Sequence, residues 1–509
     1  MPFKNGFIAF SLRRIFEMAR RIFFLFFILL TISYGVSAQT VSGVFNISNK
    51  DFLNIEGTPR IVRNGFDHEW VVAWRQQGAP SKIISRIVES DGVLRKPKVL
   101  ATKVANAPQD FDIFFDSVHY NILLVFENAS GLHTQLFSNV LKKIGTVKTI
   151  EPGVSGTIPR LSFDPVGEKF LVFWIGDNGT SLKNILVDAT GNVSGTIRTL
   201  AHASGGNNYG SLNISTNQDT GNLTALVTES NGASAKLLGF IVKPDGSLKK
   251  SKPLTIAAPD PHLNSIFADS SFSDKGVGFA FWSEDNAIKS RKLSRAGGLA
   301  SAAKSVDNQA DDNSGQTSIL FDARNNQFIP AWTMGNHVRA MALDSSGNVK
   351  TDPFDVASSS FTNSLNPATS YDGQLGNAIV VWEDSTEDAG SSGNNAKFRI
   401  RGAIFFFQSS TSTKAVTIGD NFFSNGNQTI QIGDTITWTN NGNNTHTVTS
   451  GNESNPGTVF DSGNLSRGQT FSFRFMTAGT FPFFCRIHGS NTMNGTITVN
   501  SGGEPPPRY

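Results

Sequence analysis

Four residues near the end of this chain carry atoms suited to a soft metal ion. His446 lies in NNTHTVTS, and Cys485, His488 and Met493 lie together in FFCRIHGSNTMNG, with the spacing Cys-x2-His-x4-Met. Two imidazoles, one thiolate and one thioether are the donors of a mononuclear type 1, or blue, copper site. The thiolate and imidazoles make a trigonal plane, and the thioether is a weak axial donor that tunes the potential. Such a site holds Cu(I) and Cu(II) with little reorganisation, so its chemistry is the passage of one electron. Taken singly, each residue has a plainer role. A lone strand cysteine is usually a small buried hydrophobe, and methionine is usually core filler, as Met476 in FSFRFM is read. The argument for metal is the set. Cys485 is the sole cysteine, which excludes an intramolecular disulfide and any site that needs two thiolates. Ligation also protects an exported thiol from oxidation.

Four donors need a rigid frame. From residue 416 to residue 500 short period-two segments alternate with Gly/Asn turns: VTIGDNFF, TIQIGDTITWTN, THTVTS, TFSFRF, GTFPFFC and GTITV. That is the pattern of a small β-sandwich. One ligand sits on an early strand and three on the tight loop between the last two strands, so the sandwich fixes their geometry. Trp438 and Phe483 are core aromatics, and Phe483-Phe484 also line the site.

These residues resemble the cupredoxins, most closely the plastocyanin/pseudoazurin-like branch. The resemblance covers residues 414–500 and rests on IGDTITWTN, the single histidine of THTVTS, the GTFPFFC approach strand and the ligand loop closing into NGTITV. It implies a Greek-key sandwich, one type 1 copper ion held by His446, Cys485, His488 and Met493, and electron passage through His488 at the solvent edge. Members of the group often carry Asn directly after the first histidine, where it helps to hold the thiolate. Here that residue is Thr447, whose hydroxyl or backbone amide must substitute.

Upstream, a repeat fills the chain. WVVAW, ILLVF, FLVFW, LTALV, GFAFW, FIPAW and AIVVW end at Trp74, Phe126, Trp174, Val227, Trp282, Trp332 and Trp382, with spacings of 52, 48, 53, 55, 50 and 50. Ten residues earlier stands a turn residue: Asn64, Asp116, Asp164, Asp322 or Asp372. Copies four and five are read with a shorter loop, at Asp219 and Asp274. Further strands follow each aromatic, often through a Gly turn such as Thr190-Gly191 or Ser346-Gly347. Three or four strands per roughly 50 residues is one propeller blade. The expected fold is therefore all-β: a seven-bladed β-propeller over 39–408, a linker at 409–415, the cupredoxin sandwich at 416–500 and a disordered tail at 501–509. Residues 41–58 are expected to add the strand that closes the ring. Two β-sandwiches in place of the ring are the alternative.

The first 38 residues are read as an address. Arg20-Arg21, the apolar run IFFLFFILLTIS and Val36-Ser37-Ala38 are the three parts of a secretory signal. The run is short of the ~20 residues a spanning helix needs, so no integral span is expected after cleavage at Ala38. Translation from Met18 would give an ordinary signal too. The expected location is extracytoplasmic, periplasmic or secreted. Without this segment the chain is nearly neutral, which offers no electrostatic footprint for nucleic acid.

Enzymes that pair a propeller with copper do not fit. A nitrous oxide reductase-like centre needs two cysteines and a histidine-rich hub. His68, His119, His133, His202, His262 and His337 recur at no equivalent place. A galactose oxidase-like site needs a Cys–Tyr crosslink within the ring. No GxSxG or HExxH motif is present. The reading is an electron carrier and not an enzyme. A redox protein partner is expected to dock near His488, more through apolar contact than through charge steering, with the propeller as docking scaffold. The alternative is an extracytoplasmic propeller that binds a glycan or protein ligand, with the copper module auxiliary for sensing or storage.

Overall fold

The structure, a computed structural model, describes residues 39–500 apart from residue 42 and the segments 49–55, 66–67, 91, 105–110, 261–266, 285–286, 309–315, 335–336, 359–363, 374–375, 386–397, 408–412, 432–433 and 476–478. The proposed signal (1–38), the tail (501–509), His262, Met476 and part of the expected linker lie outside the described residues.

Among the described residues, seven antiparallel sheets follow one another along the chain, at 56–102, 111–152, 160–202, 208–260, 268–307, 317–358 and 364–407. Each is an up-and-down meander. Blade 3, for example, runs through Arg160–Asp164, Lys169–Gly176, Ser181–Asp188 and Val193–His202. The first strand of each blade neighbours the first strand of the next, and that of blade 7 (Ser364–Asp372) returns to that of blade 1 (Glu56–Arg63). The ring is a seven-bladed propeller. No helix of the described residues is long and apolar enough to cross a membrane.

The repeat that marks the sequence is the packing between blades. The second strand of a blade is covered on both faces, which is why Trp70 to Trp74 form an unbroken apolar run with at most 2% exposure. The terminal residue of that run faces the preceding blade in every copy. Trp174 packs with Leu123 and Leu136 of blade 2, Trp282 with Leu226 and Leu237 of blade 4, and Trp332 with Phe279 and Phe281 of blade 5. Trp74 packs with Ile379 and Val381 of blade 7, so the same contact closes the circle. The glycine of the next turn obeys the same geometry. Gly347 has φ of +82°, and a Cβ there would lie 2.6 Å from Phe279 of the blade before it. Only glycine meets both demands.

Polar side chains tie the inner strands together. Asp112 Oδ2 accepts the Leu161 amide at 2.9 Å, Asp269 Oδ2 accepts the Ile319 amide at 2.9 Å, and Ser318 Oγ accepts the Thr369 amide at 3.2 Å. Each bond joins one blade to the next. Burial pushes the Asp269 carboxyl up to about 6, against the amides that favour its charge. The described ring histidines serve turns and contacts to carboxylates. His68 meets Asp372 and His119 meets Asp116, each at 2.8 Å, and His337 meets Asp355 at 3.1 Å. His133 contacts Ser130 at 2.9 Å and His202 is exposed.

Two expectations are corrected. The ring-closing strand falls only partly within 41–58. Gln39–Val41 and Phe45–Asn46 pair with Phe398–Phe407 as the outer edge of blade 7, and blade 1 has already begun at Glu56. In copy four the turn residue is Asn217, ten residues before Val227 as in most other copies. Its amide donates to Asn222 across the hairpin, whereas Asp219 pairs with Arg295 of blade 5.

After the ring the chain forms a two-sheet sandwich. One sheet holds Thr413–Gly419 between Phe422–Ser424 and Thr435–Asn440, with Thr470–Arg474 beyond. The other runs Asn427–Gln431, Asn494–Asn500, Gly479–Phe484, Thr449–Asn452 and Asn455–Asp461. Two pairings are parallel, 413–419 with 435–440 and 427–431 with 494–500. Strand pairing thus begins at Thr413, inside the stretch read as linker, because Thr413 and Lys414 register against Thr435 and Ile436. Trp438, Phe460 and Phe483 fill the space between sheets, with Trp438 edge-on to Phe483 at 5.4 Å.

Candidate metal centre

The site lies at one end of the sandwich and is built from two elements. The first follows Thr435–Asn440. Asn440 is fully buried, and its side-chain amide donates to the carbonyls of Asn444 and Leu465, each at 2.8 Å. The chain therefore turns tightly and enters an antiparallel bridge in which His446 and Leu465 exchange both backbone bonds, at 3.1 and 2.8 Å. His446 has no freedom to leave the interior and is 0% exposed.

The second element starts where Gly479–Phe484 ends. The Cys485 carbonyl accepts the amides of His488 (3.2 Å) and Gly489 (2.9 Å), and the Gly489 carbonyl accepts those of Thr492 (3.2 Å) and Met493 (3.0 Å). The Cys485 amide then closes on the Met493 carbonyl at 3.0 Å. Two successive turns thus fold the Cys-x2-His-x4-Met spacing back on itself. Glu453, on a neighbouring hairpin, fastens the outer turn by accepting the Ser490 amide at 2.7 Å. Gly489 is needed there: its φ is +80°, and a Cβ would stand 2.9 Å from the Glu453 carboxylate.

These elements bring three of the four expected donors together. Cys485 Sγ lies 3.8 Å from His446 Nδ1 and 3.4 Å from His488 Nδ1, and the imidazole centroids are 4.8 Å apart. The three ligand atoms fall within 4.8 Å of one another, and no other group of three His, Cys, Asp or Glu donors does so among the described residues. An ion bonded to one sulfur and two nitrogens at ~2.0–2.3 Å in a trigonal plane would space them by about 3.5–3.8 Å. The donors fit a type 1 copper ion, and copper is the cofactor of this domain. Met493 is fully buried in the same core cluster as Cys485.

The surroundings favour the ligating forms. Burial first, and then the neighbouring His488, hold the His446 imidazole below its ordinary pKa, opposed by Asp420. The shift favours the neutral imidazole, the metal-binding form. The Thr447 amide donates to Cys485 Sγ at 3.4 Å. The hydroxyl of Thr447 accepts the Arg486 amide at 2.9 Å. Both parts of Thr447 therefore face the ligand loop. Asp420 Oδ1 lies 3.9 Å from His446 Nε2 and accepts the amides of Asn443 and Asn444. These amides, Asn444 first, hold its carboxyl below the usual range. Neither Asp420 nor Glu453 is marked by any local sequence signal, since each reaches the site from a separate turn.

The sandwich and its convergent sulfur and nitrogens define a cupredoxin with a mononuclear copper centre. Residues 411–500 match the family of copper binding proteins of the plastocyanin/azurin type, and through them the chain belongs to that family. It is similar to plastocyanin of Scenedesmus fuscus, with 34% identity over 84 residues, 15% of this chain and 85% of that protein. Among solved structures it is similar to a novel purple cupredoxin from Nitrosopumilus maritimus (26% identity, 17% of this chain, 99% of that one, TM-score 0.16). It is also similar to the BP39L lectin from Burkholderia pseudomallei (14% identity, 68% of this chain, 99% of that one, TM-score 0.49).

Proposed function

We propose that this protein is an exported one-electron carrier in which the propeller docks the copper module against a redox partner. The observation that carries this reading is the difference in exposure within the donor set. His446 and Cys485 are fully buried, whereas His488 is half-buried beside Ile487, which is 52% exposed. The bound copper supplies the change of oxidation state. The buried residues exclude water and hold the donors in one arrangement, and His488 gives the short route between the ion and a partner at the surface. No nucleophile, acid–base pair or second metal is needed for this role.

Met493 completes the donor set as the axial thioether. Met493→Leu should retain copper and colour, because the trigonal plane is intact. Loss of the sulfur lone pair stabilises Cu(II) less, so the potential should rise, by at least about 59 mV for one decade in relative preference for Cu(I). Cyclic voltammetry checks it, and an unchanged potential would remove Met493 from the site.

The decisive experiment is metal analysis with a visible spectrum on the purified mature chain. One copper per chain and an intense thiolate-to-Cu(II) absorption are expected. A pale spectrum of a tetragonal site would overturn the proposal.

A further inference from the structure

The residue after the copper thiolate begins a closed circuit of polar contacts. The Arg486 amide donates to Thr447 Oγ1 at 2.9 Å. Thr447 Oγ1 lies 3.2 Å from Thr449 Oγ1, which lies 3.2 Å from Asp461 Oδ1. Asp461 Oδ2 pairs with the Arg486 guanidinium at 2.8 Å. The path leaves Arg486 through its backbone and returns through its side chain.

Each hydroxyl has one proton, and an ionised carboxylate only accepts. The Thr449 hydroxyl faces two acceptors, Thr447 Oγ1 and Asp461 Oδ1, and its one proton is shared between them. The Thr447 oxygen accepts from the Arg486 amide and from the Thr449 hydroxyl. The Thr449 hydroxyl thus bridges the oxygen that holds the Arg486 amide and the carboxylate that pairs with the Arg486 side chain, and the contacts polarise one another. Thr447 and Thr449 are 2% and 0% exposed, so water does not compete for them. Asp461 is itself fixed, because Oδ1 also accepts the Gly463 amide at 3.0 Å.

The circuit joins three separate pieces of chain: the stretch leading from His446, the end of Asn455–Asp461, and the ligand loop. Its first bond holds the Cys485–Arg486 peptide, and Thr447 sends its own amide to the Cys485 sulfur. We propose that Thr447, Thr449, Asp461 and the Arg486 side chain act as one coupled positioning unit that sets the orientation of the copper thiolate. A charge pair at the surface thereby reaches a buried metal ligand through two hydroxyls. The proposal rests on the copper reading above.

The test uses the full mature chain loaded with Cu(II), with Thr447→Val, Asp461→Asn, the double variant and Thr447→Ser. Copper loss to excess chelator is followed by decay of the thiolate absorption. Amide hydrogen exchange of the peptide holding Arg486 is measured on the copper-free protein. Thr447→Val and Asp461→Asn should each speed copper loss about tenfold, as outer-sphere partners of metal ligands commonly do. The double variant should be no faster than Thr447→Val alone, since both cut the same path. Thr447→Ser should stay near wild type. Asp461→Asn should also speed exchange at Arg486, two side chains away. Additive effects in the double variant would overturn the proposal, as would an Asp461→Asn protein with unchanged copper loss and exchange. A wild type that binds no copper would instead overturn the copper reading on which this rests.

Discussion

Cys485→Ser is expected to abolish the intense visible absorption and to reduce copper occupancy more than tenfold at limiting metal. The reason lies in the donor set. Cys485 Sγ lies 3.8 and 3.4 Å from the two imidazole Nδ1 atoms, and Cys485 is the one cysteine the chain possesses. Its charge balances the ion and its soft orbitals give the charge-transfer band. A serine hydroxyl at neutral pH stays protonated and is a hard donor, so two imidazoles are left to hold the metal. The fold should survive, because serine is nearly the size of cysteine and the Thr447 amide can donate to its oxygen. Copper should also cease to raise the melting temperature of the domain. For the wild type that linkage is worth about 4 kcal/mol at a metal concentration a thousandfold above Kd. Absorption, metal per chain and calorimetry with and without copper check it. A serine variant that kept the band would refute the assignment of Cys485.

The copper donors could be read from the sequence because their chemistry is rare. Cysteine, histidine and methionine at a tight spacing have few other reasons to occur together, and the loop that carries three of them is local. The propeller was legible for a related reason: Trp174, Trp282 and Trp332 each fill the same inter-blade position, so one packing rule repeats at a steady pitch. Residues that act across distance were not legible. Asp461 and Thr449 are twelve residues apart and meet only because two strands pair, and Asp420 approaches His446 from another turn altogether. In copy four, Asp219 is a more conspicuous turn former than Asn217, yet the hairpin register selects Asn217. The bounds of the closing strand were only partly legible because QTVSGVFN is broken by Gly43 and pairs in two short pieces.

That closing segment leads to the second large expected effect. Starting the chain at residue 49, instead of at Gln39, should open the ring and produce aggregation or a melting temperature lowered by several degrees. Phe398–Phe407 has blade 7 on one side and the segment from Gln39 onward on the other. Ile47 is fully buried in the cluster with Trp70, Trp74 and Ile400. Its amide and that of Ser48 donate to the Ile400 carbonyl at 2.8 and 3.2 Å, and the Ser48 hydroxyl accepts the Ile400 amide at 3.1 Å. Arg86 of blade 1 donates to the Ile47 carbonyl at 2.7 Å. The segment thus binds blade 7 and blade 1 at once. Losing one such buried aliphatic costs about 2–5 kcal/mol, and the lost backbone bonds add to it. The uncovered strand also presents a row of unpaired amides and carbonyls next to apolar side chains, a template for pairing with another chain. A synthetic peptide of residues 39–48 should restore the monomer by adding back the missing strand. Size-exclusion chromatography and thermal melting measure this, and a truncated chain that stayed monomeric with wild-type melting would show that the ring closes without it.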